Sequence, residues 1–119
     1  MANSNPVVLV VEDDPFLREA AAGYLEDRGY AVLRAKSADA AIPLLREEPI
    51  GAVFSDVQMP GSMNGLGLAH WISDTVPEVR VLLTSGRIPP GVEGGWTLLP
   101  KPYVMADVER RLRAMVVAD

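Results

Sequence analysis

Short apolar runs alternate with longer amphipathic stretches along the whole chain, the pattern of parallel strands joined by helical crossovers. Five strand-like runs are legible: Val7 to Val11, Tyr30 to Ala35, Gly51 to Ser55, Val79 to Leu83 and Trp96 to Leu99. Between the first two, Asp14 reads as a helix N-cap with Pro15 at the first helical position, and Gly29 as the stop after a helix to about Arg28. Ser37 caps a second helix to about Glu47, which Pro43, lacking a backbone donor, is expected to kink or interrupt. Leu66, Ala69 and Ile72 have helical spacing before Pro77, and Val104, Val108, Leu112 and Met115 form one stripe of a final helix. Residues 86–95 break the rhythm, with four glycines and two prolines, and read as a loop. Runs as continuously apolar as these suit a sheet covered on both faces. The expected architecture is a doubly wound α/β fold: five parallel strands in the order 2-1-3-4-5, in three layers, with the fourth helix reduced or absent.

A chain of 119 residues, about half of them hydrophobic, supports one core and a single domain over 1–119. The absence of cysteine removes disulfides, thiolate metal sites and thiol redox chemistry. The first apolar run is five residues long, has no basic flank and runs into Glu12, Asp13 and Asp14, unlike a secretory or spanning segment; a cytoplasmic protein is expected. A net charge of −5 without a long basic stretch argues against direct binding of nucleic acid. Arg110, Arg111 and Arg113 form the basic cluster, near the end of the last helix, where cations offset the helix dipole.

In such a sheet ligands bind beyond the carboxyl ends of the strands, where strands one and three adjoin. The residues expected there are Glu12 and Asp13, Asp56, Thr84 with Ser85, and Lys101. Two like charges about 4 Å apart cost roughly 4 kcal/mol at an effective dielectric of 20, so three gathered carboxylates take up protons or recruit a cation. All-oxygen donors suit Mg²⁺, which uses one or two carboxylates, several waters and a phosphate oxygen. Asp56 is the candidate nucleophile toward phosphorus, Lys101 a second cation for phosphoryl oxygens, and the Thr84 hydroxyl a donor to another. A cis Lys101-Pro102 bond is expected to aim the lysine inward.

Val-Val-Glu-Asp-Asp at 10 to 14, Ser-Asp-Val-Gln-Met-Pro-Gly at 55 to 61, Leu-Thr-Ser at 83 to 85 and Leu-Pro-Lys-Pro-Tyr at 99 to 103 resemble the response-regulator receiver domain, a flavodoxin-like fold. The resemblance spans almost the whole chain. It implies Asp56 as phosphoacceptor, Asp13 as a direct Mg ligand, Glu12 as a ligand acting largely through water, and Gln58 as a ligand through its main-chain carbonyl. It also implies that Thr84 and Lys101 sense and pair with the phosphoryl group, delivered from a phosphohistidine on a sensor histidine kinase or phosphotransfer protein. Three departures stand out: the Met59 to Gly65 turn is one residue longer than the common pattern, the Thr84 to Lys101 connection is short, and Leu98 occupies a position that is often an aromatic switch. Trp96 or Tyr103 is the candidate to take an analogous part.

Taken singly, each signal has a plainer reading. Asp14 is an N-cap, His70 a surface or boundary residue without a second metal-ligand candidate at helical spacing, and the methionines are packing residues. Three functions remain to be weighed. One is a phosphorylation-driven switch, whose charge at Asp56 changes which protein binds. Another is a constitutive interaction module of the same fold, and the third a hydrolase of external phosphomonoesters, for which the paired-aspartate signature on the first strand is absent. The switch is expected, catalysing only its own phosphorylation and dephosphorylation, with no effector domain in these residues. Output then passes through protein contacts, or the chain is a piece of a longer protein.

Overall fold

In a computed structural model, which describes residues 7–86 and 96–117, the chain runs β1 (Val7–Val11), α1 (Pro15–Asp27), β2 (Ala31–Ala35), α2 (Ala38–Glu47), β3 (Ile50–Asp56), α3 (Gly65–Thr75), β4 (Arg80–Ser85), β5 (Thr97–Pro100) and α4 (Met105–Val117). The strands form one parallel sheet in the expected order 2-1-3-4-5.

The helix starts follow from their caps. The Asp14 carboxylate accepts hydrogen bonds from the Phe16 and Leu17 amides at 2.8 and 3.2 Å, and Ser37 Oγ accepts from the Ala40 amide at 3.0 Å. Asn64, which the sequence reading had not singled out, caps α3 through the Gly67 amide at 2.8 Å. Helix α1 gives way at Arg28 and Gly29, the latter at φ +95°. Pro43 does not interrupt α2, which runs through it as one element. Burial of Ala38, Ala41 and Leu45 against the sheet offsets the missing hydrogen bond.

Strand alternation explains the unbroken apolar runs. Val8, Val10, Ala52, Phe54 and Leu82 meet Leu25 of α1 and Val108 and Leu112 of α4 on one face. Leu9, Val11, Val53, Val81 and Leu83 meet Ala41 and Leu45 of α2 and Leu68 and Ile72 of α3 on the other. Strand β3 extends one residue further at each end than its apolar core implies, and β4 runs on through Thr84 and Ser85, polar residues that are nonetheless buried.

The described residues hold four helices. The loop expected at 86–95 lies, apart from Gly86, outside the described residues. The link from Ser85 to Thr97 is close to the dozen or so residues that a crossover between parallel neighbours needs.

Candidate functional site

Four segments converge at the carboxyl edge of the sheet. Asp56, the last residue of β3, lies in register with Thr84 of β4, and both are almost wholly buried, at 7% and 2% exposure. A carboxylate buried this far needs partners. Lys101 Nζ lies 2.6 Å from Asp56 Oδ2, and the Gln58 amide donates to Oδ1 at 3.1 Å. The ion pair with Asp56 holds the Lys101 ammonium above the ordinary lysine range. The Lys101-Pro102 bond is cis, as expected, and the Lys101 amide donates to Ser85 O at 3.0 Å.

Thr84 Oγ1 is buried and has no hydrogen-bond partner among the described residues. Such orphans are rare in folded proteins, because each forfeits the desolvation cost of the hydroxyl. Its place beside Asp56 matches a hydroxyl whose acceptor arrives with a ligand.

Glu12 and Asp13 follow β1. Glu12 is half-buried, Asp13 exposed. Glu12 Oε2 accepts from the Asp14 amide at 3.0 Å, and Arg18 steadies the turn by donating to the Glu12 carbonyl oxygen at 3.0 Å. Burial, reinforced by the nearby Asp13 and Asp56 carboxylates, pushes the Glu12 carboxyl above its ordinary value despite the Asp14 amide. Tyr103 is raised as well, chiefly by burial and then by the Glu12 charge.

Among the described residues no three metal-ligating side chains are already gathered around one point. A cage of that kind is not what Mg²⁺ needs. The available donors, carboxylates of Glu12, Asp13 and Asp56 and the Gln58 carbonyl, are all hard oxygens at one edge of the sheet, the donor type that suits the ion. The residues present fit the ion.

Several supports were not legible beforehand. Gly65 closes the loop after β3, its amide donating to Val57 O at 2.8 Å, and a Cβ there would stand 2.2 Å from the Asp56 carbonyl oxygen. Only the glycine itself hinted at this close approach. The Gln58 side chain accepts from Ser85 Oγ at 3.3 Å. The departures also have locations: Leu98 is partly buried against the α2/α3 layer, Tyr103 stands edge-on to Phe54 at 5.8 Å, and Trp96 donates its indole N–H to Ser73 Oγ at 3.3 Å. His70 is exposed, as expected, and meets the Trp96 ring edge-on at 4.7 Å.

The model of the response regulator receiver domain matches residues 8–91. Among curated proteins, the response regulator protein FleR of Pseudomonas aeruginosa is 40% identical over 102 residues, 81% of this chain and 21% of FleR. The probable transcriptional regulatory protein TcrX of Mycobacterium tuberculosis is 33% identical over 97% of this chain and 52% of its own length. The chain thus spans between a fifth and a half of these relatives. A CheY-like receiver domain from Methanospirillum hungatei superposes with a TM-score of 0.88 at 20% identity, covering 96% of this chain and 95% of that one. The receiver domain of the hybrid histidine kinase CckA does so at 0.80 with 32% identity, covering 92% and 98%. No helix among the described residues is long and apolar enough to cross a membrane. Matched across most of its length in sequence and in fold, the chain belongs to the response-regulator receiver domain family.

Proposed function

We propose that the domain is a phosphoryl-accepting switch in which Asp56 takes a phosphoryl group from a phosphohistidine of a sensor kinase or phosphotransfer protein. An Asp56 carboxylate oxygen attacks phosphorus, the new P–O bond forms as the P–N bond breaks, and the imidazole leaves with a proton from solvent. Lys101 is already on Asp56 and has only to pair with the arriving oxygens, while Thr84 Oγ1–H donates to another. Glu12, Asp13, Asp56 and the Gln58 carbonyl would hold Mg²⁺, which when bound supplies neutralisation of phosphoryl charge. The observation that carries the reading is buried Asp56, paired with Lys101, beside a buried Thr84 hydroxyl that has no partner among the described residues.

The donor's approach is supported by the surface around Lys101. A groove of about 500 Å³ runs from Lys101 between Leu17 and Ala20 of α1 and Tyr103 and Met105. The exposed large hydrophobics among the described residues are Phe16, Leu17 and Val104, from the start of α1 and the turn before α4. Both segments border this groove. A cytoplasmic location and no turnover of external substrates complete the proposal.

Intact mass after incubation with acetyl phosphate and Mg²⁺ tests it. One added phosphoryl group that requires both Mg²⁺ and Asp56, and is lost in Asp56→Asn, is expected. No adduct, including none with a beryllofluoride mimic, favours the second reading, a constitutive interaction module. That alternative draws on Leu98, which sits packed where a mobile aromatic would be expected.

A further inference from the structure

The loop after β3 is tied to the site at both ends. The Val57 amide donates to Thr84 O, the Gln58 amide to Asp56 Oδ1, and Asn64 caps α3. Residues 59–63 lie between these ties, in the exposed turn from Met59 to Gly65, and a longer turn costs more entropy to order. Their hydrogen bond to another element, among the described residues, comes from Ser62. Its Oγ lies 2.9 and 3.0 Å from the two carboxylate oxygens of Asp39, 23 positions earlier on α2.

Two features make this more than a chance surface contact. Asp39 lies in the first turn of α2, where the helix dipole favours its charge, so the acceptor is held by a rigid element. Gly61 turns the chain at φ +110°, and a Cβ on it would stand 3.2 Å from Asp39 Oδ2. A left-handed residue without a side chain therefore lets the loop lie against that carboxylate.

We propose that Asp39 and Ser62 form a latch positioning the 58–63 loop, so that Gln58 presents its main chain to Asp56 and to the Mg²⁺ held there. Neither residue touches the reacting atoms; both are positioning residues, acting through Gln58. The inference rests on the phosphoacceptor reading. The latch joins the site to α2, the helix that Ser37 starts, and so makes α2 part of the site's support.

The test is calorimetric titration of Mg²⁺ alone into the wild-type chain, Ser62→Ala, Asp39→Ala and Asp39→Asn, with amide hydrogen exchange of residues 58–64 on the same samples. Ser62→Ala changes no charge, so it separates positioning from simple electrostatics. Expected are an affinity about threefold to tenfold weaker in Ser62→Ala and Asp39→Ala, at the low end of the loss seen when a ligand's supporting hydrogen bonds go, faster exchange at 58–64, and near wild-type values in Asp39→Asn, which keeps an acceptor. If the wild type binds Mg²⁺ and both alanine variants bind it equally well, whatever their melting temperatures, the latch is overturned and the phosphoacceptor reading stands. If the wild type does not bind Mg²⁺, the reading of the site falls and the latch with it.

Discussion

Gly65 and Asp56 approach so closely that any side chain at 65 would collide with the backbone of the residue read as phosphoacceptor. An added Cβ would lie 2.2 Å from Asp56 O, 2.8 Å from Val57 Cα and 2.9 Å from Asp56 C, all main-chain atoms at the end of a central strand. Such neighbours cannot swing aside as a flexible side chain does. Gly65→Ala is expected to destabilise the fold by about 2–4 kcal/mol, the upper range for overpacking against immobile atoms. Urea unfolding measures this, and a loss below about 0.5 kcal/mol, the ordinary scatter of surface substitutions, contradicts the close approach.

Thr84 offers the opposite sign. Its buried hydroxyl has no partner among the described residues, so Thr84→Val is expected to raise stability by about 1 kcal/mol, since the unsatisfied polar atom disappears at nearly constant shape. The same change removes a donor to the phosphoryl group, and acetyl phosphate labelling of Asp56 should slow roughly tenfold or more. Greater stability with slower labelling is the signature; lower stability would mean that the hydroxyl has a partner in the free protein.

Glu12 carries a cost that depends on pH. Its carboxyl is raised, so its contribution to stability is fully present below the unfolded value of 4.5 and is lost as pH rises through the higher folded value. At neutral pH without Mg²⁺ the ionised Glu12 burdens the fold, and Glu12→Gln is expected to melt at a higher temperature than the wild type. Added Mg²⁺ should narrow that gap by stabilising the wild type more, and so should lowering the pH below 4.5. Thermal melts at two pH values, with and without the ion, decide it.

Tyr30 supplies an alkaline counterpart far from the site. Its hydroxyl donates to Glu109 Oε2 at 3.0 Å, and burial, with that carboxylate, pushes the phenol up from 10.0 to about 12. Stability from this group is fully present below pH 10 and is lost as pH rises toward 12. Tyr30→Phe should cost about 1–2 kcal/mol at neutral pH, the worth of a hydrogen bond to a charged acceptor. The difference from wild type should shrink between pH 10 and 12, and a difference that stays constant would exclude the coupling.

Most of the architecture was legible because the strands are buried on both faces and so read as plain apolar runs. The caps at Asp14 and Ser37 and the stop at Gly29 were local signals, and they marked the helix ends to within a residue. Strand ends were less legible: Thr84 and Ser85 are polar by composition yet belong to β4, because their burial serves the site and not the core. Glu12, Asp13, Asp56, Thr84 and Lys101 could be placed at strand ends from order alone. Sequence order does not encode that Lys101 pairs with Asp56, that Thr84 Oγ1 lacks a partner among the described residues, or that Ser62 reaches Asp39, since these follow from how segments distant in sequence fold over one another.

The arrangement of the two apolar layers has a consequence for the order in which the molecule is made. The layer containing Val8, Val10, Leu25 and Phe54 is completed by Val108 and Leu112 of the last helix, and its clasp from Tyr30 to Glu109 spans 79 positions. During synthesis the opposite layer finds its helices as soon as α2 and α3 emerge. Helix α1 covers only part of this one, and the part beneath Val108 and Leu112 stays open to water until α4 leaves the ribosome, so a chain stalled or clipped before Met105 presents that apolar strip to every other unfinished protein nearby.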